Sequence, residues 1–223
     1  MPRYFADELP KEIQDLVNGF KTIKCNYEAA MREIKTKLEI LDQEFEMQHS
    51  RNPIHHMESR LKTLESIYGK LQRKNLSFTL ESAKDNLYDI AGIRVVCAYL
   101  NDIYTIANLL TSQDDVKLIS VRDYIKEPKA NGYRSLHLIV QIPVFFSSGK
   151  VLIPVEVQIR TIAMDFWASL EHNIRYKKEV IAPQKLNDAL YDCANRIAEL
   201  DGDMQDIHNQ MVELVNSHIK NSN

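Results

Sequence analysis

IAGIRVVCAYL at residues 90–100 and KVLIPVEVQIR at residues 150–160 decide the fold. Both are short, rich in β-branched residues and bounded by turn-forming positions, so each reads as a strand. In the second, Val151, Ile153, Val155, Val157 and Ile159 share one face by the period of two. Glu156, Gln158 and Arg160 share the other. Two more such segments lie between them, VKLISVRDYI at 116–125 and YRSLHLIVQIPV at 133–144. Asn101 to Ser112 reads as a crossover helix. The run Glu127-Pro128-Lys129-Ala130-Asn131-Gly132 reads as a loop from its Pro and Asn-Gly. A strand-rich core therefore covers about residues 87–160.

Working outward, both ends are helical. Over about residues 8–75, Ile13, Leu16, Phe20, Ile23, Tyr27, Met31, Ile34, Leu38, Leu41 and Phe45 recur every three or four positions. Asn52-Pro53 resembles a second helix start, with Met57, Leu61, Leu64, Tyr68 and Leu71 as its stripe. Over about residues 161–219, Leu190, Cys193, Ile197, Leu200, Met204, Ile207, Met211, Leu214 and His218 keep similar spacing. Such long stripes exceed what a four-strand sheet covers. They point to helix–helix packing, between subunits or between the two ends. The expected class is α+β.

The 223 residues suit one domain over 1–223. A net charge of −3 argues against nucleic-acid binding driven by overall charge. Cys25, Cys97 and Cys193 form no CxxC pair and no even set, so they read as reduced thiols. The N-terminus lacks an apolar h-region and no run of 18 apolar residues occurs. A cytoplasmic protein without membrane contact is expected.

Four constellations carry chemistry. Lys62, Ser66, Lys70 and Arg73 share one face if helical, and Arg60 and Lys74 flank them. Taken alone this is a solvated basic face; with other signals it is a polyphosphate clamp. Glu156, Gln158 and Arg160 either face solvent or line a cleft, where a carboxylate holds magnesium or accepts a proton. Arg122 to His137 combines a Gly-containing loop with Lys129 and Arg134, which suit phosphates, and Tyr133, which suits a base. Tyr133, Ser135 and His137 alternate onto one face. Asp89 opens the first strand as a turn residue or a second magnesium ligand. Its parity opposes that of Arg94, so either Asp89 precedes regular pairing or Gly92 marks a bulge. Phe166 and Trp167 read as core anchors of a following helix, and His172 lacks a metal-binding partner at helical spacing.

HSRNPIHHMESRLKTLESI (49–67), DIAGIRVVC (89–97), VRDYIKEPKANGYRSLH (121–137) and VEVQIRTIAMDFWASLEH (155–172), with Tyr176-Lys177 beyond, occur in this order. Together they resemble the synthetase domain of the RelA/SpoT homologues in its small form, and are similar to the RelP-type subgroup. The resemblance implies a nucleotidyltransferase-like mixed sheet of four or five strands packed by helices. It implies a GTP pyrophosphokinase that moves the β,γ-diphosphate of ATP to the 3′-hydroxyl of GDP or GTP, releasing AMP, in the stringent response. By it, Arg60 and Arg94 sandwich adenine, and Lys62, Ser66, Lys70 and Arg73 contact the ATP phosphates. Asp89 and Glu156 hold Mg²⁺, and Glu156 also activates the 3′-hydroxyl. Tyr133 stacks on guanine, and Arg122, Lys129, Arg134, His137 and Gln158 contact the acceptor nucleotide. A homotetramer built through the terminal helices is implied as well.

Two departures bear on regulation. Larger relatives carry a hydrolase domain with a His-Asp motif, and this chain has no His-Asp dipeptide, so synthesis without degradation is expected. A sister subgroup, the RelQ type, is stimulated by its product at a central cleft and has Asn where this chain has Asp165. An acidic group there would repel a polyphosphate, so no product stimulation is expected. Two rivals remain. One is a template-independent nucleotidyltransferase, which releases pyrophosphate instead of AMP. The other is a non-catalytic regulator that binds guanine nucleotides or single-stranded RNA. DNA is not an expected partner, and RNA is not indicated.

Overall fold

In the computed structural model, which describes residues 11–176 and 184–221, the central strands lie side by side. The elements run α1 (Lys11–His49), β1 (Ile54–Leu61), α2 (Leu64–Arg73), α3 (Leu80–Asn86), β2 (Ala91–Cys97), α4 (Leu100–Thr111), β3 (Lys117–Asp123), β4 (Leu136–Phe146), β5 (Gly149–Thr161), α5 (Ile162–Tyr176) and α6 (Gln184–Asn221). The sheet order is β1-β2-β5-β4-β3. β2 and β5 pair in parallel, and every other neighbouring pair is antiparallel. Helix α4 is the crossover that carries the chain from β2 to the far edge.

The alternation read from β5 holds over residues 153–159, whereas Val151, assigned to the same face, is exposed. Ile153, Val155, Val157 and Ile159 are buried, as are Leu136, Leu138, Val140 and Ile142 of β4 and Ile93, Val95 and Cys97 of β2. Helix α1 lies across this face, burying Ile23, Tyr27, Met31, Ile34, Leu38 and Leu41. Its stripe is thus consumed by the sheet. The side chains of Ile13 and Leu16 lie outside the described residues, as does Lys177.

Residues 54–61 are a correction to the helical reading of 8–75: they form the edge strand β1. Ile54, Met57 and Leu61 fall at helical intervals because a bulge between Ile54 and His56 shifts the strand's parity. Asn52 is not an N-cap. Its amide donates to Asp42 Oδ2 at 2.9 Å, and the Ile54 N–H donates to Asp42 Oδ1 at 2.9 Å, which pins the turn to α1. The true cap is Thr63, whose Oγ1 accepts the Ser66 N–H at 3.2 Å. The turn is held further by Arg51, which forks onto the buried Asp102 carboxylate of α4 at 2.9 and 2.7 Å.

Helix α6 inverts the usual arrangement. Toward the body it presents Ala194, Asp201, Gln205 and His208. Asp201 accepts from Thr161 Oγ1, Gln205 accepts from the Asn101 N–H, and His208 stacks on Tyr99 at 4.1 Å. Its apolar residues Leu200, Met204, Ile207, Met211 and Leu214 are exposed. Phe166 of α5 is also exposed, contrary to its reading as a core anchor, whereas Trp167 is buried and donates to the Leu190 carbonyl at 3.0 Å.

Leu38 is fully buried, whereas Ile40, two residues on, is 57% exposed. Leu38→Ala is expected to lower unfolding free energy by about 2–5 kcal/mol. Ile40→Ala should stay within about 0.5 kcal/mol of wild type. Urea titrations with unchanged m-values check both.

Candidate active site

The face opposite α1 is built by strand register. Glu58 of β1, Arg94 of β2, Gln158 of β5, His137 of β4 and Arg122 of β3 lie in one row across the sheet. Arg60, Gly92, Glu156, Ile139 and Ser120 form the next row. Paired residues share a face, so five strands deliver their polar side chains to one surface. Asp89 precedes β2 and Gly92 pairs in register, so the parity conflict with Arg94 arises because Asp89 stands outside the ladder.

Helix α2 and the Asp89 turn wall one side of a cleft of about 190 Å³ lined by Lys70, Lys74, Asn86, Tyr88, Asp89, Ser120, Arg122, His137, Ile139 and Glu156. Lys62 Nζ lies 3.1 Å from Asp89 Oδ2, and Lys70 donates to the same oxygen. Burial alone would raise the Asp89 carboxyl, but hydrogen bonding to Lys70 and the charges of both lysines outweigh it and hold it below its ordinary value. Lys62 is not on α2 as its spacing implied; it sits just before the Thr63 cap. Ser66 and Arg73 lie on exposed positions of α2.

Glu156 is held from two sides. His137 Nδ1 is 3.3 Å from Oε1, and Gln158 donates to Oε2 at 2.9 Å. The Tyr133 hydroxyl meets His137 Nε2 at 2.9 Å. The tautomer that satisfies both contacts carries its proton on Nδ1. Burial would raise the Glu156 carboxyl, but the His137 and Gln158 contacts lower it further than burial raises it. A Tyr133–His137–Glu156–Gln158 chain therefore crosses from loop to strand to strand. Lys129 stands over the rings of Tyr124 and Tyr133 at 4.5 and 4.6 Å.

Other cations meet carboxylates too. Arg94 donates to Glu58 Oε2 at 3.0 Å, and Asp165 Oδ1 lies 3.7 Å from Arg94 and 3.4 Å from Arg160 Nε, ion-pair distances without hydrogen-bond alignment. Reading the sequence for a site missed Glu58, because β1 was taken as helix. Arg160 was placed on the polar face but given no role, although it is buried and stands 5.9 Å from the Tyr133 ring. Ser135 does not line the cleft face with His137; it is buried, with Oγ donating to the Ile159 carbonyl at 3.0 Å. Arg134 turns away from Glu156 and toward α6.

One observation bears on magnesium. Asp89 Oδ2 takes both lysines, while Oδ1 is buried with no partner. No group of three or more His, Cys, Asp or Glu gathers among the described residues. Two carboxylates in one cleft fit an ion that takes its remaining ligands from phosphates and water.

Comparison with known proteins places this geometry. The family described as "Region found in RelA / SpoT proteins" matches residues 59–180, which contain the cleft residues named above. The chain belongs to the RelA/SpoT family. The GTP pyrophosphokinase YwaC of Bacillus subtilis is 41% identical over 200 residues, covering 90% of this chain and 95% of the relative. YjbM, a GTP pyrophosphokinase of the same organism, is 35% identical over 84% of this chain and 87% of its own length. Among solved structures, small alarmone synthetase 1 of B. subtilis bound to its product pppGpp superposes with TM-score 0.79 at 34% identity, covering 86% of this chain and 97% of that one. Small alarmone synthetase 2 of B. subtilis gives 0.78 at 42% identity, covering 86% and 98%. The RelA/SpoT chain described here thus shares the α+β, nucleotidyltransferase-like architecture of small alarmone synthetases.

Because the folded Asp89 carboxyl lies below its unfolded value, it contributes stability above the unfolded pKa and loses it as pH falls through the folded value. Asp89→Asn leaves Lys62 and Lys70 facing each other. The variant is expected to unfold at lower urea than wild type at pH 7, with the gap closing at strongly acidic pH; midpoints measured across pH check this.

Proposed function

We propose that this RelA/SpoT protein is a (p)ppGpp synthetase that transfers the β,γ-diphosphate of ATP to the 3′-hydroxyl of GDP or GTP and releases AMP. The observation that carries this is the parallel β2–β5 register, which sets Glu156 in one cleft with the lysine-clamped Asp89. The printed names of the relatives, GTP pyrophosphokinases and alarmone synthetases, support the same reading.

The roles divide by wall. Lys62, Lys70, Ser66 and Arg73 hold the ATP phosphates, and Arg60 and Arg94 flank the adenine from β1 and β2. Binding a polyphosphate supplies the lysines with charge that Asp89 supplies in the free chain. Tyr133 carries the guanine, and Lys129, Arg122, His137 and Gln158 meet the acceptor nucleotide. Glu156 accepts the proton of the 3′-hydroxyl as that oxygen attacks the β-phosphorus and AMP departs. His137 and Gln158 aim the carboxylate. Asp89 and Glu156 are the residues that would hold Mg²⁺, which neutralises charge at the transferring diphosphate when bound. Fixing two nucleotides in line removes on the order of 7–11 kcal/mol of the barrier at best.

Synthesis without hydrolysis, in the cytoplasm, completes the reading; no helix among the described residues is long and apolar enough to cross a membrane. The exposed apolar residues of α6 support assembly into a homotetramer through that helix rather than through α1, whose stripe is buried. Asp165, an acidic residue beside Arg94 and Arg160, is the feature that argues against stimulation by a polyphosphate product.

Incubation with γ-labelled ATP, Mg²⁺ and GDP is expected to yield labelled ppGpp and AMP, resolved by thin-layer chromatography. Glu156→Gln should cut the rate by about 10²–10⁴. GDP binding without AMP release would hand the chain to the non-catalytic reading, and release of pyrophosphate to the nucleotidyltransferase reading. Added pppGpp should leave the initial rate unchanged; a several-fold rise would refute the role given to Asp165.

A further inference from the structure

Arg134 directly follows Tyr133 at the end of the loop that carries Lys129, yet its guanidinium is committed elsewhere. Nη1 donates to the Gly132 carbonyl at 3.0 Å and to the Ala194 carbonyl of α6 at 3.3 Å, and Nη2 donates to Asn195 Oδ1 at 3.1 Å. One cation therefore ties the loop to itself and to a helix 60 residues away in sequence. Gly132 closes the same contact. Its φ is +86°, and a Cβ there would lie 2.6 Å from the Ala194 Cβ. Only a residue without a side chain lets the loop backbone approach α6 this closely. The space left between loop and helix is about 10 Å³, bounded by Gly132, Arg134, Met164, Trp167 and Ala194. A second anchor reaches α5, where Asn131 donates to Glu171 Oε1 at 3.1 Å.

We propose that α6 is a positioning element for the acceptor nucleotide, and that Arg134 acts as the tether that docks the Lys129–Tyr133 loop onto Ala194 and Asn195 rather than as a ligand of a phosphate. The inference rests on the synthetase reading and deepens it. Tyr133 is at once the platform for the acceptor base and the donor that meets His137 Nε2, while His137 in turn meets Glu156. A loop held against α6 keeps that ring at a fixed height above β4 and β5. A released loop must be ordered each time an acceptor binds, and the cost falls on acceptor affinity. The ATP-side groups Lys62, Lys70 and Asp89 belong to other elements and touch neither the loop nor α6 in these contacts. The tether therefore separates the two substrates.

The test compares Asn195→Leu, Asn195→Asp, Arg134→Ala and the Asn195→Leu/Arg134→Ala pair in the full chain, by steady-state rates with ATP and GDP and by calorimetric titration of GDP alone. Asn195→Leu is expected to raise KM for GDP about tenfold, the worth of one charge-assisted hydrogen bond. KM for ATP should stay within about twofold of wild type. Asn195→Asp keeps the accepting oxygen and adds charge, so it should retain wild-type KM for GDP. The double variant should be no worse than Arg134→Ala, because that substitution already removes the bond to Asn195 along with the two to backbone carbonyls. The tether is refuted if Arg134→Ala impairs GDP binding while Asn195→Leu leaves it unchanged, since Arg134 then meets the nucleotide directly. Equal losses for both substrates refute it too, as general destabilisation. A wild-type chain that binds GDP and makes no ppGpp sinks the synthetase reading instead, and the tether is then read from GDP affinity across the same variants.

Discussion

Six consecutive residue pairs join β2 to β5 in parallel, from Gly92 with Glu156 to Cys97 with Thr161. A parallel pair needs a long connection between its strands, and here that connection holds the crossover helix α4 and strands β3 and β4. The register fixes which side chains stand beside one another. Shifting it by one residue would turn Glu156 and Gln158 into the core and expose Val155 and Val157. Everything else in the cleft is arranged about this pairing: β1 adds Glu58 and Arg60 on one side, and β4 and β3 add His137 and Arg122 on the other. Buried apolar residues under α1 hold the register because the alternative would put charge against Ile34 and Leu38.

The cleft stores its cations against carboxylates. Lys62 and Lys70 share one oxygen of Asp89, and Arg94 lies between Glu58 and Asp165. Such pairing keeps several positive groups together in a partly buried place, where their mutual repulsion would otherwise push them apart. In the proposed reading, a polyphosphate entering the cleft would exchange one set of anionic partners for another, with the cations already gathered. His137 and Gln158 do the analogous work for Glu156, fixing the carboxylate's direction by hydrogen bonds.

Much of this was legible in the sequence. The period of two correctly sorted Glu156 and Gln158 from the core over residues 153–159, but it breaks at the ends, where Val151 is exposed and Arg160 is buried. The α1 stripe was equally plain. Residues 54–61 were not, since an edge strand with a bulge spaces its few apolar residues at helical intervals. Losing β1 hid Glu58 and put Lys62 on a helix. The fate of Arg134 was out of reach for a different reason: its partners at 194 and 195 are set by tertiary packing, and no local pattern encodes a contact across 60 residues. The inverted face of α6, polar inward and apolar outward, was likewise hidden, because periodicity reveals that a stripe exists and not which way it faces.

The central strand of the sheet is also the last one made. When the ribosome has released β1 through β4, the chain holds two separate pieces, the β1–β2 pair and the β3–β4 pair, each with an open edge. β5 must insert between them and bond to both, parallel on one side and antiparallel on the other. Asp89 and Glu156 are strangers until then. A chain that ends before this strand lacks Glu156 and the wall of the cleft that β5 supplies. Non-local closure of this kind is slow and leaves strand edges open in the interval.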